Sequence, residues 1–118
     1  MDVNISSFTS VVVKPDETVR VTVPSSLWLI TSVSLAITGD LPEEGRVVLY
    51  ASPVDEKGEY DKQIAIAPLR IGSCEVINVD YEINSATPMV FFTKGAKLSV
   101  SINGHTTTPE PLKIEILN

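Results

Sequence analysis

Cysteine is nearly absent from this chain. Cys74 is the only one among 118 residues, so an internal disulfide is excluded and a reducing compartment is favoured. Histidine is as scarce: His105 stands alone, which excludes a metal site built on several imidazoles. Aromatic residues make up 6% of the sequence, and they do not alternate with Arg and Lys as a nucleic-acid-binding surface requires. Basic residues are outnumbered 9 to 15, for a net charge of −6. That balance opposes contact with a phosphate backbone and permits basic partners. The longest apolar run, "LWLITSVSLAI" from Leu27 to Ile37, falls short of the roughly 20 residues that cross a bilayer. The opening "MDVNISSFTS" shows neither the basic nor the apolar part of a signal peptide. The expectation is one soluble intracellular domain, with neither membrane nor nucleic acid as a direct partner.

What the chain does contain is alternation with a period of two. "ETVRVTV" sets Val19, Val21 and Val23 against Thr18, Arg20 and Thr22. "EVINVDYEI" aligns Ile77, Val79, Tyr81 and Ile83; "KLSVSIN" aligns Leu98, Val100 and Ile102; "PLKIEIL" aligns Leu112, Ile114 and Ile116. Each reads as a strand with one buried face. "VVVK" (Val11–Lys14), "RVVLYA" (Arg46–Ala51), "PMVFFT" and the start of the Leu27–Ile37 segment carry apolar residues on both faces. In that last segment Trp28 and Ile30 oppose Leu27 and Leu29. A sandwich core covers one such face; a loop or a neighbouring subunit must cover the other. Turns or loops are expected at "KPDE", "GDLPEEG", "SPVDEKGEYDK", "APLRIGS", "NSATP" and "TKG". Asn103-Gly104 is a type I′ hairpin signal. About nine short strands at this spacing predict an all-β sandwich or barrel.

Catalytic chemistry finds little support. His105 follows the Asn-Gly pair, so a solvated loop position is expected. Cys74 opens a strand and is expected to be buried. The chain has no Gly-rich phosphate loop, nucleophile elbow or zinc spacing. Asn4-Ile5-Ser6 fits a glycosylation sequon, which has no use without secretion. No cofactor and no metal are expected. Charge is the remaining feature: Asp55, Glu56, Glu59 and Asp61 sit in one predicted loop, and Asp40, Glu43 and Glu44 in another. Repeated around a ring of subunits, such loops would sum to a strong attractor for a basic protein.

The order of these features resembles the nucleoplasmin-like domain, as found at the N-terminus of nuclear immunophilin-type prolyl isomerases and in plant-specific histone-deacetylase-type proteins. Phe8 and "VVVKP" open the pattern. "LITSVSL", "RVVLYA", the acidic "SPVDEKGEYDK", "QIAIAPL" and "EVINVDYEI" follow. Phe91 or Phe92, Gly95 and "LSVSING" close it. The pattern spans about residues 8–104. Thr9-Ser10 stands where the family usually has Trp-Gly, no long acidic tract is present, and "TTTPEPLKIEILN" continues past the pattern. The resemblance implies an eight- to nine-stranded jelly-roll β-sandwich that is not an enzyme. It implies a homopentamer, or a decamer of two stacked rings, in the nucleus. The implied partners are histones, held by Asp55, Glu56, Glu59, Asp61, Asp40, Glu43 and Glu44. Trp28, Ile30, Phe91 and Phe92 are then expected in the core or at the subunit interface. The two phenylalanines, being adjacent, must face opposite ways. A scaffold jelly roll that binds no histone is the alternative.

Overall fold

A computed structural model describes residues 7–24, 27–36, 45–108 and 110–117. Its strands are β1 (Ser7–Val13), β2 (Val19–Thr22), β3 (Leu27–Leu35), β4 (Arg46–Pro53), β5 (Ile64–Arg70), β6 (Val76–Asn84), β7 (Met89–Gly95), β8 (Val100–Thr106) and β9 (Lys113–Ile116). They form two antiparallel sheets, ordered β1-β8-β3-β6 and β5-β4-β7-β2-β9. The first eight strands follow jelly-roll connectivity, and β9 is added beside β2.

Alternation explains which residues meet between the sheets. Val11 and Val13, Val19 and Val21, Val47 and Leu49, and Val100 and Ile102 all point inward and are buried. Trp28 from the first sheet meets Phe91 from the second edge to face, with centroids 5.9 Å apart at 78°. Both rings are fully buried, and burial of a side chain this large contributes about 1.5–3 kcal/mol. The indole N–H donates to Thr9 Oγ1 at 2.8 Å, so the buried ring leaves no polar atom unpaired.

Turn chemistry follows the sequence in places. Glu17 N–H donates to the Lys14 carbonyl at 3.1 Å, with Pro15 second in the turn and Asp16 third at φ 63°. That is the type II pattern, and Asp is among the few residues other than glycine that accept this backbone. "NSATP" also turns, closed by Ala86 N–H on Asn84 Oδ1 at 2.9 Å.

Elsewhere the expected turns are strand. Asn103 and Gly104 lie inside β8, paired with Ser10 and Thr9 on one side and with Ser32 and Ile30 on the other. The glycine is needed for closeness. Thr31 is an extra residue that bulges β3 between Ile30 and Ser32, which pushes its backbone toward β8. A Cβ at Gly104 would collide with the Leu29 carbonyl oxygen. His105 is accordingly a half-buried strand residue, not a loop residue. Thr93–Gly95 ends β7, and Ala67–Arg70 belongs to β5. Cys74 precedes β6, half-buried in an isolated bridge to Arg70. The inward set expected of the last segment lies on the predicted face but is only partly covered, Leu112 packing against the core. Ile114 and Ile116 lie opposite Val21 and Val19 but are 48% and 60% exposed. As the added outer strand of its sheet, β9 lies beyond the cover of the facing one.

Candidate functional site

The loop between β4 and β5 carries the densest charge among the described residues. Every residue from 55 to 65 is exposed. Asp55 builds the loop. Its Oδ1 accepts from the backbone N–H groups of Lys57 at 2.9 Å and Glu59 at 2.8 Å. Its own N–H donates to the Glu59 carbonyl at 2.8 Å, and its carbonyl accepts from Gly58 N–H at 3.0 Å. Gly58 turns the chain at φ 81°, a conformation glycine takes without steric cost. Asp55 is thereby committed to shaping the turn. Glu56, Glu59 and Asp61 project from it, with Lys57 and Lys62 interspersed. Asp40, Glu43 and Glu44 lie outside the described residues.

The adjacent phenylalanines are divided between the two sides of β7. Phe91 fills the core. Phe92 is half-buried on the outer face of the second sheet, where Tyr50 lies opposite it on β4. The rings stack at 5.5 Å and 8°, and Lys94 Nζ sits 5.1 Å from the Tyr50 centroid while donating to Gln63 Oε1 at 2.8 Å. One step along the same face, Ser52, Val90 and Arg20 form a row across three strands. Ser52 Oγ and Arg20 Nε are buried there without a hydrogen-bond partner among the described residues. Trp28 and Ile30 are both in the core.

The outer face of the first sheet differs in chemistry. Asn103 Nδ2 donates to Ser32 Oγ at 3.3 Å and to Ser34 Oγ at 3.1 Å. Its Oδ1 accepts from Ser101 Oγ at 2.7 Å and Ser10 Oγ at 3.2 Å. Around this network stand Phe8, 95% exposed, and Val76, 61% exposed. Neither the network nor the stacked Tyr50 was singled out from sequence. Ser-x-Ser and x-Asn spacings within alternating strands place such residues on one face but do not say which strands will be neighbours.

Among the described residues no three His, Cys, Asp or Glu side chains gather to hold a metal, and no helix is long and apolar enough to cross a membrane. Among them Cys74 and His105 do not form a dyad either: His105 lies on β8 between Phe8 and Leu29, and Cys74 sits in the β5–β6 turn.

A family model for the nucleoplasmin-like domain matches residues 8–107, and the chain belongs to that family. Two Drosophila structures share the fold. The nucleoplasmin-like N-terminal domain of FKBP39 superposes with a TM-score of 0.68 at 17% identity, covering 94% of this chain and 98% of that one. The NLP core, whose structure is described as giving insight into pentamer formation and histone binding, superposes with a TM-score of 0.68 at 20% identity, covering 90% of this chain and all 100% of that one. Comparison with curated protein sequences gives no match. The family-model match ends before β9.

Proposed function

We propose that this chain is a non-enzymatic, ring-forming module of the histone-chaperone type. In this reading five copies assemble, or ten in two stacked rings, and their acidic loops shield basic histone surfaces in the nucleus. The observation that carries it is the fully exposed loop at residues 55–62, in a chain of the nucleoplasmin-like family. One loop has four carboxylates against two lysines, a net of −2. Alone it attracts a basic protein weakly. Repeated around a ring, it becomes multivalent. Asp40, Glu43 and Glu44 add a second patch in this reading. The outer face of the second sheet supplies the subunit contact. Phe92 and Tyr50 offer stacked apolar area there that a neighbour would cover.

The test is titration with core histones across a salt series. Affinity is expected to fall steeply as salt rises. Changing Glu56, Glu59 and Asp61 together to Gln, Gln and Asn should weaken binding by about tenfold or more and leave the assembly intact. Asp55 is left in place because it holds the turn. Histone binding unchanged by the triple substitution would reject the loop as the site.

A scaffold without histone binding is the second reading. The observation that favours it is the exposed apolar area on Phe8, Val76, Ile114 and Ile116, which serves protein contacts whatever their charge. Normal assembly without any histone affinity at physiological salt would select it.

A further inference from the structure

The two sheets part at one end of the sandwich. The β5–β6 connection closes the other end, through the Arg70–Cys74 bridge and the Gly72 N–H bond to Glu75 Oε2 at 2.7 Å. From there β5 and β6 run along opposite sheets, each at the outer edge of its own. Both are displaced by bulges. On β5, Ile66 is an inserted residue with no partner on β4, between Ala65 opposite Tyr50 and Ala67 opposite Leu49. On the other side the β3–β6 register shifts between Ile30 and Ser32. Bulges bend strands and often sit beside sites. Between them lies an apolar hollow of about 220 Å³, reaching inward to Ile30, Ala51 and Phe91. Ile64, 53% exposed, and Tyr81, 41% exposed, stand at its mouth.

We propose that this hollow is a binding slot for an extended basic peptide that inserts one large aliphatic side chain between β5 and β6. The volume suits a side chain of leucine size with room to seat it. Strand edges flanking the hollow offer backbone N–H and C=O groups to a chain lying alongside, the usual way an extended peptide docks on a sheet. The Ile64–Ile66 half of β5 is the open stretch, since Pro68 removes a donor further on. Charge selects the partner. Glu82 is the one charged residue lining the hollow among the described residues. Asp80 precedes it on the same outward face of β6, and Asp61 precedes β5. A peptide with Lys or Arg beside its apolar anchor therefore meets Glu82 at the β6 lip, with the acidic 55–61 loop leading into β5 on the other side. This slot deepens the proposed function, resting on the reading that the partner is basic, and it gives the acidic loop beside it an apolar anchor point.

The test uses two fluorescein-labelled nonapeptides of alternating Lys and Thr, one with a central Leu and one with a central Ala, titrated by anisotropy. The Leu peptide should bind about tenfold more tightly, and that ratio should persist at high salt because it is apolar. Thr87→Trp, which fills the slot from its half-buried rim, should erase the ratio. Ile64→Asp, at the exposed mouth, should reduce it without touching the core. Glu82→Gln should weaken both peptides alike. Equal affinity for the two peptides, or no binding of either, overturns the slot and leaves the acidic loop to its own histone titration. A preserved Leu preference with no histone binding would instead retain the slot and reject the chaperone reading. If Thr87→Trp lowers the solution mass, the slot holds a second copy of this chain and the peptide proposal is overturned.

Discussion

The two sheets present similar residues to each other and very different ones to the outside. Inward, both offer Val, Ile and Leu around the Trp28–Phe91 contact. Outward, the first sheet carries a network of short polar side chains centred on Asn103, in which donors and acceptors satisfy one another. The second carries stacked aromatic rings under Lys94, with Ser52 Oγ and Arg20 Nε buried and without a hydrogen-bond partner among the described residues. The polar network is completed within one chain, while Phe8 and Val76 beside it stay exposed and open to a partner's cover. The half-buried aromatic stack gains from a neighbour that completes its burial. The contrast teaches that a sheet's inner face sets the fold while its outer face sets what the fold can join.

Substitutions can break this comparison, the largest effect coming from inside. Phe91→Ala removes half of the central aromatic contact and should cost about 3–5 kcal/mol in chemical denaturation. Phe92→Ala, one residue along, should cost only about 1 kcal/mol of chain stability, the worth of one half-buried aromatic pair. Its larger effect should appear in assembly, as a lower solution mass. If both cost the chain equally, the division of β7 into a core side and an outer side is wrong.

Gly104→Ala sharpens the contrast within the first sheet. The added methyl has to displace the Leu29 carbonyl across a strand pair, and a loss of about 3 kcal/mol is expected. A thermal melt unchanged by this substitution would mean that β3 does not approach β8 so closely. Asn103→Ala, on the outward side of the same strand, should cost about 1–2 kcal/mol by orphaning hydroxyls of the network, with no change in assembly. The smallest effect belongs to the Lys97–Asp16 ion pair, whose side chains are 74% and 76% exposed. Lys97→Ala should move stability by less than about 0.5 kcal/mol in the same assay.

Much of this architecture can be read from the chain, for a physical reason. Val19, Val21 and Val23, or Leu98, Val100 and Ile102, alternate because a pleated strand has only two sides. The order of strands and turns then carries the family likeness. Glycine is where reading fails. Gly58 and Gly104 are the same residue to a sequence, yet one takes a positive φ in a loop and the other admits a neighbouring backbone inside a strand. Only the partner strand, some 75 residues away in sequence for Leu29 and Gly104, separates the cases. Acidic composition marks residues 55–61 as a charged loop, but Asp55 as its internal fastener depends on backbone geometry. The hollow between β5 and β6 had no sequence signal at all. It arises where two bulges on different sheets fall at the same end of the sandwich.

The most direct test of the central claim is the solution mass, by light scattering behind size exclusion, at low and high salt. Five or ten copies are expected at both, since the contact proposed on the second sheet's outer face is mainly apolar and salt does not screen it. A single copy at both salts would contradict the claim, leaving the half-buried Phe92–Tyr50 stack without the neighbour proposed to cover it.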